Sequence, residues 1–395
     1  MTDKDNPLTL PVATVLNLAP EYTTVQVSLE DSLHRILQED IFADSDIPPF
    51  DKSAMDGYAC RKPDLGNPLE CIGIVQAGIF PKMKIGPGQC VKIMTGAAVP
   101  EGAGMVFKLE DADILPDGRI QCTDTGSKRN ICNRGEDVRK GDILITKGTL
   151  ITSRHIPVLA GAGYDKVIVA RHPVTGIIAN GTELVEPGST PQKGQIRNSN
   201  SYQLAARLHE LSVPYKYFGI APDISEALTE IIREAGKETD ILLVTGGASN
   251  SDFDLVPGAL TRLGYKLLIR ETGMKPGNPM TFATRNGKVC FGLSGNPVSS
   301  YIQFEVFVKP FIMKFMGMSR NSEIKKYRMG EKFTRKNAGR FGFHPVRITK
   351  ENEVFLVEYH GSAHIRALTV ADGLIEIEAG KTTINKGDIV NVRPF

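Results

Sequence analysis

The residues of this sequence best suited to chemistry are Glu183, Asp254 and Lys275, together with three glycine-containing loops. Glu183 stands in Gly181-Thr182-Glu183, directly after the apolar run VTGIIAN. Asp254 ends the stretch TGGASNSDFD, which follows DILLV. Two like charges about 4 Å apart cost roughly 4 kcal/mol at an effective dielectric of 20. A bridging cation removes that cost, and all-oxygen donors beside phosphates suit Mg²⁺. Within the second loop, Gly246, Gly247 and Ser249 allow a phosphate or a base to approach the backbone closely. The third loop, Ser294-Gly295-Asn296-Pro297, offers an N-cap residue, a proline suited to the first helical position and N–H groups that can face an anion. A helix dipole contributes only about 0.3–1 kcal/mol, and about 2 when partly buried, so a multiply charged ligand needs a cation as well. Lys275 is the candidate, in the stiffened turn Lys275-Pro276-Gly277-Asn278-Pro279. Each motif alone also fits an ordinary role: a capped helix, a βα turn, a hairpin connection or solvated loop charges.

Further clusters lie in the first half. Asp56 sits in SAMDGYA, Thr95 in IMTGA and Asp137 in RGED. An acid and a hydroxyl beside glycines can line a pocket, but turn chemistry alone explains such residues equally well.

These residues need elements to position them. From about residue 172 the chain alternates between buried strand patterns (VTGIIAN, KYFGIA, DILLVTGG, KLLIRET, KVCFGLS) and amphipathic helix patterns (NSNSYQLAARLHEL, DISEALTEIIREAG, DLVPGALTRLG, and a long helix from Pro297). That alternation predicts a mostly parallel, doubly wound α/β domain, with ligands bound beyond the C-terminal strand ends. The three loops would converge there. Residues 46–139 are rich in Gly and Pro between short apolar runs, which predicts a β-rich domain. Residues 319–395 return to short strands and predict a small β domain. Ser28-Leu29-Glu30-Asp31 resembles a capping box, and Leu29, Leu33, Ile36 and Leu37 would share one helical face. Another helix is expected near Arg154–Ala162.

Composition narrows the function classes. With 395 residues, several domains are expected; Lys plus Arg number 47 against 45 Asp plus Glu, a formal charge of +2. That balance argues against a polybasic nucleic-acid binder. The apolar stretch 301–318 carries Glu305, Lys309 and Lys314, so no membrane span is expected. The N-terminus lacks a signal-peptide core. The six cysteines form no C-x-x-C pair, which suggests reduced thiols and a cytoplasmic location.

In order along the chain, PPFDKSAMDGYA, IMTGAAVPEGA, RGEDVRKGD, GTELVEPG, GQIRNSNSY, TGGASNSDFD, MKPGNPM and FGLSGNPVSS resemble the MoeA family, molybdopterin molybdenumtransferase, to which the E domains of gephyrin and of plant Cnx proteins belong. The resemblance implies four domains: an elongated domain I (1–45 and 140–171), a β-rich domain II (46–139), a MogA-like α/β domain III (172–318) and a β-barrel domain IV (319–395). It implies a homodimer whose active site lies between domain III of one subunit and domain II of the other. The implied reaction is Mg²⁺-dependent insertion of molybdate into adenylylated molybdopterin with release of AMP. A MogA-type adenylyltransferase is an implied partner. By the same resemblance, Glu183 and Asp254 lie near Mg²⁺ and phosphates, and Asp56, Thr95 and Asp137 line the cleft. Lys275, Pro276 and Ser294 hold molybdate or the terminal pterin phosphate, with Pro279, Gly295 and Asn296 beside them.

The sequence departs from the family pattern at five positions. Asn198 replaces the Asp of G-Q-I-x-D-S-N, Ser251 the last Gly of T-G-G-x-S-x-G, and Asn278 the second Lys of K-P-G-K-P. Thr182 replaces the Asp of Gly-Asp-Glu, and Ser294 the Pro of L-P-G-N-P. These departures keep open a catalytically impaired member acting as a pterin-binding or scaffold module. A third reading, from the shared α/β domain, is a molybdopterin adenylyltransferase, which would consume ATP and release pyrophosphate; the DGYA and MTGA motifs outside that domain speak against it.

Overall fold

The computed structural model describes residues 6–126, 128–247, 255–318 and 324–395. By its internal contacts the chain forms two units: residues 1–38, 148–152 and 167–395, and residues 39–147 with 153–166.

The larger unit is organised by a six-stranded sheet. Tyr215–Ala221, Thr175–Asn180, Ile241–Thr245 and Lys288–Leu293 run parallel in that order, and Pro279–Arg285 and Lys266–Glu271 extend it antiparallel. Successive residues of the central strands point to opposite faces. Ile177, Leu243 and Phe291 join a core with Leu204 and Leu208 of the Asn200–Glu210 helix and with Ile302 and Phe311. Ile178, Leu242, Val244 and Cys290 join the other core, with Leu228 and Ile232 of the Ser225–Glu238 helix and Ala259 and Leu260 of the Leu255–Arg262 helix. Helices therefore cover both faces, as the alternation predicts. The strand Pro279–Arg285 was not anticipated.

The helix from Pro297 is interrupted by a π-helical turn, Phe304–Val308. Inside that turn Glu305 is fully buried; it pairs with Arg207 and, at 3.1 Å, with Lys309. The Arg207 pair ties this helix to Asn200–Glu210, and the Lys309 pair lies within it.

The C-terminal residues close a five-stranded barrel. Phe341–Ile348 pairs with both Glu353–Leu356 and Gly373–Ile377, and Lys325–Met329 and Ile389–Pro394 complete the circle. Val346, Val354, Ile375 and Val392 fill it. A two-residue strand, Met274–Lys275, pairs in parallel with Phe341–Gly342 and so joins the lysine turn to this barrel.

The smaller unit is β-rich. It holds a four-stranded sheet (Glu70–Val75, Gln89–Ile93, Gly57–Cys60, Met105–Lys108) and short ribbons such as Lys52–Ser53 with Ile131–Cys132.

One expectation fails. Ser28 and Asp31 do form the box contacts: the Ser28 hydroxyl donates to the Asp31 carboxylate at 2.9 Å and accepts the Asp31 N–H at 3.2 Å. Only the 3-10 turn Glu30–Ser32 follows, however. His34 takes a positive φ of 62°, and Ile36 and Leu37 pair as extended backbone with Leu150 and Val169. Long-range pairing outcompetes a local helix nucleus. Among the described residues no helix is long and apolar enough to cross a membrane.

His172 ties stability to pH. It is 7% exposed, and its Nε2 has no hydrogen-bond partner among the described residues. Burial, with Arg35 nearby, pulls its pKa from 6.5 to about 4 despite a hydrogen bond with the Ser212 backbone. Between these values the unfolded chain binds a proton that the folded chain refuses. The contribution to stability is therefore full above pH 6.5 and is lost as pH falls toward about 4. We expect His172→Phe to flatten the pH dependence of denaturant unfolding across that window. An unchanged slope would assign the titration to another group.

Candidate functional site

Four parallel strands end at one edge of the sheet, the outer pair across a register shift between Ile177 and Ala179. Asn180 pairs with Ala221, Ala179 with Thr245, and Thr245 with Leu293. The loops after these strands must emerge side by side. Gly246 (φ +90°) lies so close to the Asn180 carbonyl that a Cβ there would sit 2.1 Å from its oxygen, and a Cβ on Gly295 would sit 3.6 Å from the Gly246 Cα. The Gly246 N–H donates to the Leu293 carbonyl at 3.1 Å. Buried Asn200 ties the edge together, donating to the Thr245 hydroxyl at 2.9 Å and the Gly295 carbonyl at 2.8 Å.

A cleft of about 1460 Å³ opens at this edge, between the strand-end loops and the barrel. Its lining includes Glu183, Gly246, Gly247, Lys275, Pro276, Pro279, Ser294, Gly295 and Asn296. Ser249 and Asp254 lie outside the described residues. The charged residues of the lining are Arg197, Lys275, Arg335, Lys336 and Arg340 against Glu183 and Asp223. Among the described residues, five cations thus face two acids, a balance that favours an anionic ligand. Arg335 donates to the backbone carbonyls of Lys381, Arg340 and Glu378, at 2.8, 3.1 and 2.5 Å. These neutral partners hold its charge in place without cancelling it, and burial draws its pKa downward.

The barrel cations were not legible in the sequence, because only tertiary packing brings residues 335–340 to the sheet edge. Asp223 was also missed, although it follows KYFGIA, the fourth strand ending at this edge. It accepts from Asn180 Nδ2 at 2.6 Å and from the Thr182 N–H at 2.9 Å, and its own N–H donates to the Thr182 hydroxyl at 2.9 Å. Asp223 thereby fixes the loop that carries Glu183.

The helix-start expectation needs correction. Asn296 adopts the extended cap conformation and Pro297 opens the helix, but Asn296 makes no side-chain cap bond. Its N–H instead reaches the Ser294 hydroxyl at 3.2 Å, and the Val298 N–H is taken by the Ser362 carbonyl at 3.1 Å. The barrel segment around Ser362 occupies donors that an anion would need, so the charge of a ligand falls mainly to the cations.

The departure at Asn198 is built into the scaffold. Asn198 is 2% exposed. Its Nδ2 donates to the Tyr217 oxygen at 2.9 Å, and its Oδ1 accepts the Ser201 N–H at 3.2 Å. Tyr217 donates to Glu186 at 2.6 Å, as does Tyr202 at 3.0 Å. Burial and the Glu186 carboxylate push the Tyr217 phenol well above its ordinary range. Asn278, 5% exposed, likewise turns inward and accepts the Gly273 N–H at 2.9 Å.

In the smaller unit, Asp56 and Thr95 meet directly. The Thr95 N–H and hydroxyl both donate to Asp56 Oδ1 at 2.6 Å, and these bonds hold the exposed carboxyl below its usual range. Asp137 is exposed on a loop pinned by its N–H to the Ile47 carbonyl at 3.1 Å. The same loop is held by the Arg134–Asp46 ion pair at 2.6 Å.

No group of three or more His, Cys, Asp or Glu side chains among the described residues could hold a metal by itself. The Cys60 and Cys90 thiols are pushed up to about 12, first by burial, and are not nucleophiles.

Gly246→Ala places a side chain against the Asn180 carbonyl at a positive φ. We expect a loss of about 1–3 kcal/mol in denaturant unfolding, from the backbone strain alone. Wild-type stability would mean that the two loops do not need this close approach.

The comparisons with known proteins agree along the chain. The model of the MoeA N-terminal region (domain I and II) matches residues 8–163, that of a probable molybdopterin binding domain matches 176–314, and that of the MoeA C-terminal region (domain IV) matches 326–395. A molybdopterin molybdenumtransferase of Bacillus subtilis is 39% identical over 334 residues, which is 80% of this chain and 76% of that protein. One from Staphylococcus epidermidis is 33% identical over 389 residues, covering 94% and 91%. The crystal structure of the molybdopterin biosynthesis MoeA protein from Pyrococcus horikoshii superposes with a TM-score of 0.81 at 29% identity, over 99% of this chain and 100% of that one. The fold, the ordered motifs and these relatives together show that the chain belongs to the MoeA family of molybdopterin molybdenumtransferases.

Proposed function

We propose that this chain is a cytoplasmic transferase that inserts molybdate into adenylylated molybdopterin and releases AMP, as the final step of molybdenum-cofactor synthesis. The observation that carries this reading is the cleft at the strand ends, with five cations facing two acids among the described residues. Such a surface suits a substrate carrying phosphates and a tetrahedral dianion. Lys275 and the barrel arginines Arg335 and Arg340 bind and orient the oxyanions, electrostatically and without a proton change. The Gly246–Gly247 backbone lets the phosphates lie close to the sheet edge. The dithiolene sulfurs of the substrate are the nucleophiles toward molybdenum, so no thiol of this chain is required.

Glu183 and Asp254 are the residues that would hold Mg²⁺. When bound, Mg²⁺ supplies charge neutralisation for the pyrophosphate whose bond is cleaved. Asp223 positions Glu183 through Thr182.

Purified protein given adenylylated molybdopterin, molybdate and Mg²⁺ is expected to release AMP and yield active cofactor. AMP release no greater than background would refute the reading. Glu183→Ala should lower turnover by about 10²-fold, the scale of one lost electrostatic contact, and weaken the Mg²⁺ dependence; unchanged kinetics would remove Glu183 from the metal role.

The neutral, buried Asn198, bonded to Tyr217 and Ser201, favours a second reading, a pterin-binding module without turnover. That protein would bind the adenylylated pterin and release no AMP in the same assay.

We further propose the fourfold division 1–45 with 140–171, 46–139, 172–318 and 319–395, and a homodimer in which Asp56, Thr95 and Asp137 of one subunit serve the cleft of the other. The pairing of Ile41–Phe42 with Ile143–Ile145 supports a domain made of two segments. Mixing Asp56→Ala and Glu183→Ala subunits is expected to raise AMP release above that of either variant alone, since each mixed dimer holds one intact site. No recovery in verified mixed dimers would place both residues in the same subunit's site.

A further inference from the structure

Gln303 closes the Pro297–Gln303 helix and is fully buried. Its amide reaches both loops that border the oxyanion end of the cleft. Nε2 donates to the carbonyls of Gly277 at 3.0 Å and Pro279 at 2.7 Å, within the lysine turn. Oε1 accepts the Ser294 N–H at 2.8 Å. One side chain therefore bridges Lys275–Pro279 and Ser294–Pro297, two segments joined otherwise by the strands Pro279–Arg285 and Lys288–Leu293.

The bond to Ser294 has a specific cause. A proline, the residue of the family pattern at this position, carries no N–H, whereas Ser294 presents one at the end of a buried strand. A buried N–H left unpaired costs about 1–3 kcal/mol, and Gln303 supplies the acceptor. Gln303 is itself held from behind. The π-helical turn starts at the next residue and is fixed by the pairs of Glu305 with Arg207 and Lys309. On the facing side, the Thr272 hydroxyl donates to the Gly277 carbonyl at 3.0 Å, so the turn cannot follow a displaced amide freely.

We propose that Gln303 is a positioning residue that sets the spacing between Lys275 and the Ser294 loop, and through it the grip of the cleft on molybdate. This inference rests on the function proposed above. It assigns no contact between Gln303 and any ligand.

The test compares wild type, Gln303→Met, Ser294→Pro and the double variant. Thermal unfolding verifies folding, calorimetry gives the Kd for molybdate, and AMP release gives kcat and KM. Gln303→Met keeps an unbranched side chain and removes all three bonds. We expect KM and Kd for molybdate to rise roughly 5–30-fold, as for a loss of one or two kcal/mol, with kcat changed much less. The effect of Ser294→Pro should be smaller in the Gln303→Met background than in wild type, because the bond it removes is already gone. If Gln303→Met does not fold, Gln303→Glu takes its place: it keeps an acceptor for Ser294, loses the donors, and should raise KM and Kd in the same direction. A folded variant with wild-type KM and Kd, or strict additivity with Ser294→Pro, overturns the proposal. A wild-type chain that binds molybdate but releases no AMP fails the function reading instead, and the calorimetric comparison then still decides the role of Gln303.

Discussion

Parallel strands aligned in register force the loops that follow them to leave the sheet together, and the whole candidate site depends on this constraint. Asn180, Thr245 and Leu293 end neighbouring strands, and the turns beyond them pack backbone against backbone. The contact of Gly246 with the Asn180 carbonyl leaves no room for a side chain. Both cores beneath the sheet serve to hold that edge still. Among the described residues, a ligand at the edge meets backbone already fixed by these contacts.

Electrostatics then determines what such an edge can bind. The helix start at Pro297 contributes little, since the Asn296 and Val298 N–H groups are already used by Ser294 and Ser362. Positive charge comes instead from Lys275, Arg197 and the barrel residues 335–340. Arg335 shows how the barrel keeps a cation available: its guanidinium is fixed by main-chain carbonyls and no neighbouring carboxylate is needed to orient it. Arg197, Lys275, Lys336 and Arg340 are exposed, so their attraction for an anion acts partly through solvent.

The departures from the family pattern acquire a common physical meaning. Asn198, Asn278 and Thr182 stand where charged residues are usual, and in each the side chain is turned to scaffold work. Asn198 bonds Tyr217 and the Ser201 N–H, Asn278 bonds the Gly273 N–H, and Thr182 exchanges bonds with Asp223. Ser294 adds a backbone donor that Gln303 accepts. Neutral groups thus tighten these loops from within. Ser251 lies outside the described residues.

Local pattern alone determined a good part of this. Alternating periodicities marked the α/β region and its cores, and the residues after each strand pattern located the loops of Glu183, Gly246 and Ser294, because a strand's end and its loop are neighbours in sequence. Local pattern misled at Leu29–Leu37, where a satisfied capping box yields to long-range pairing with Leu150 and Val169. It also passed over Pro279–Arg285, whose opening proline masks a strand. The tertiary structure alone decided that a C-terminal barrel supplies cations to the sheet edge, that Asp223 steers Glu183, and that Gln303 joins two loops. Contacts between segments far apart in the chain leave no periodic trace, since they depend on how the sheet and the barrel pack and not on spacing along the backbone.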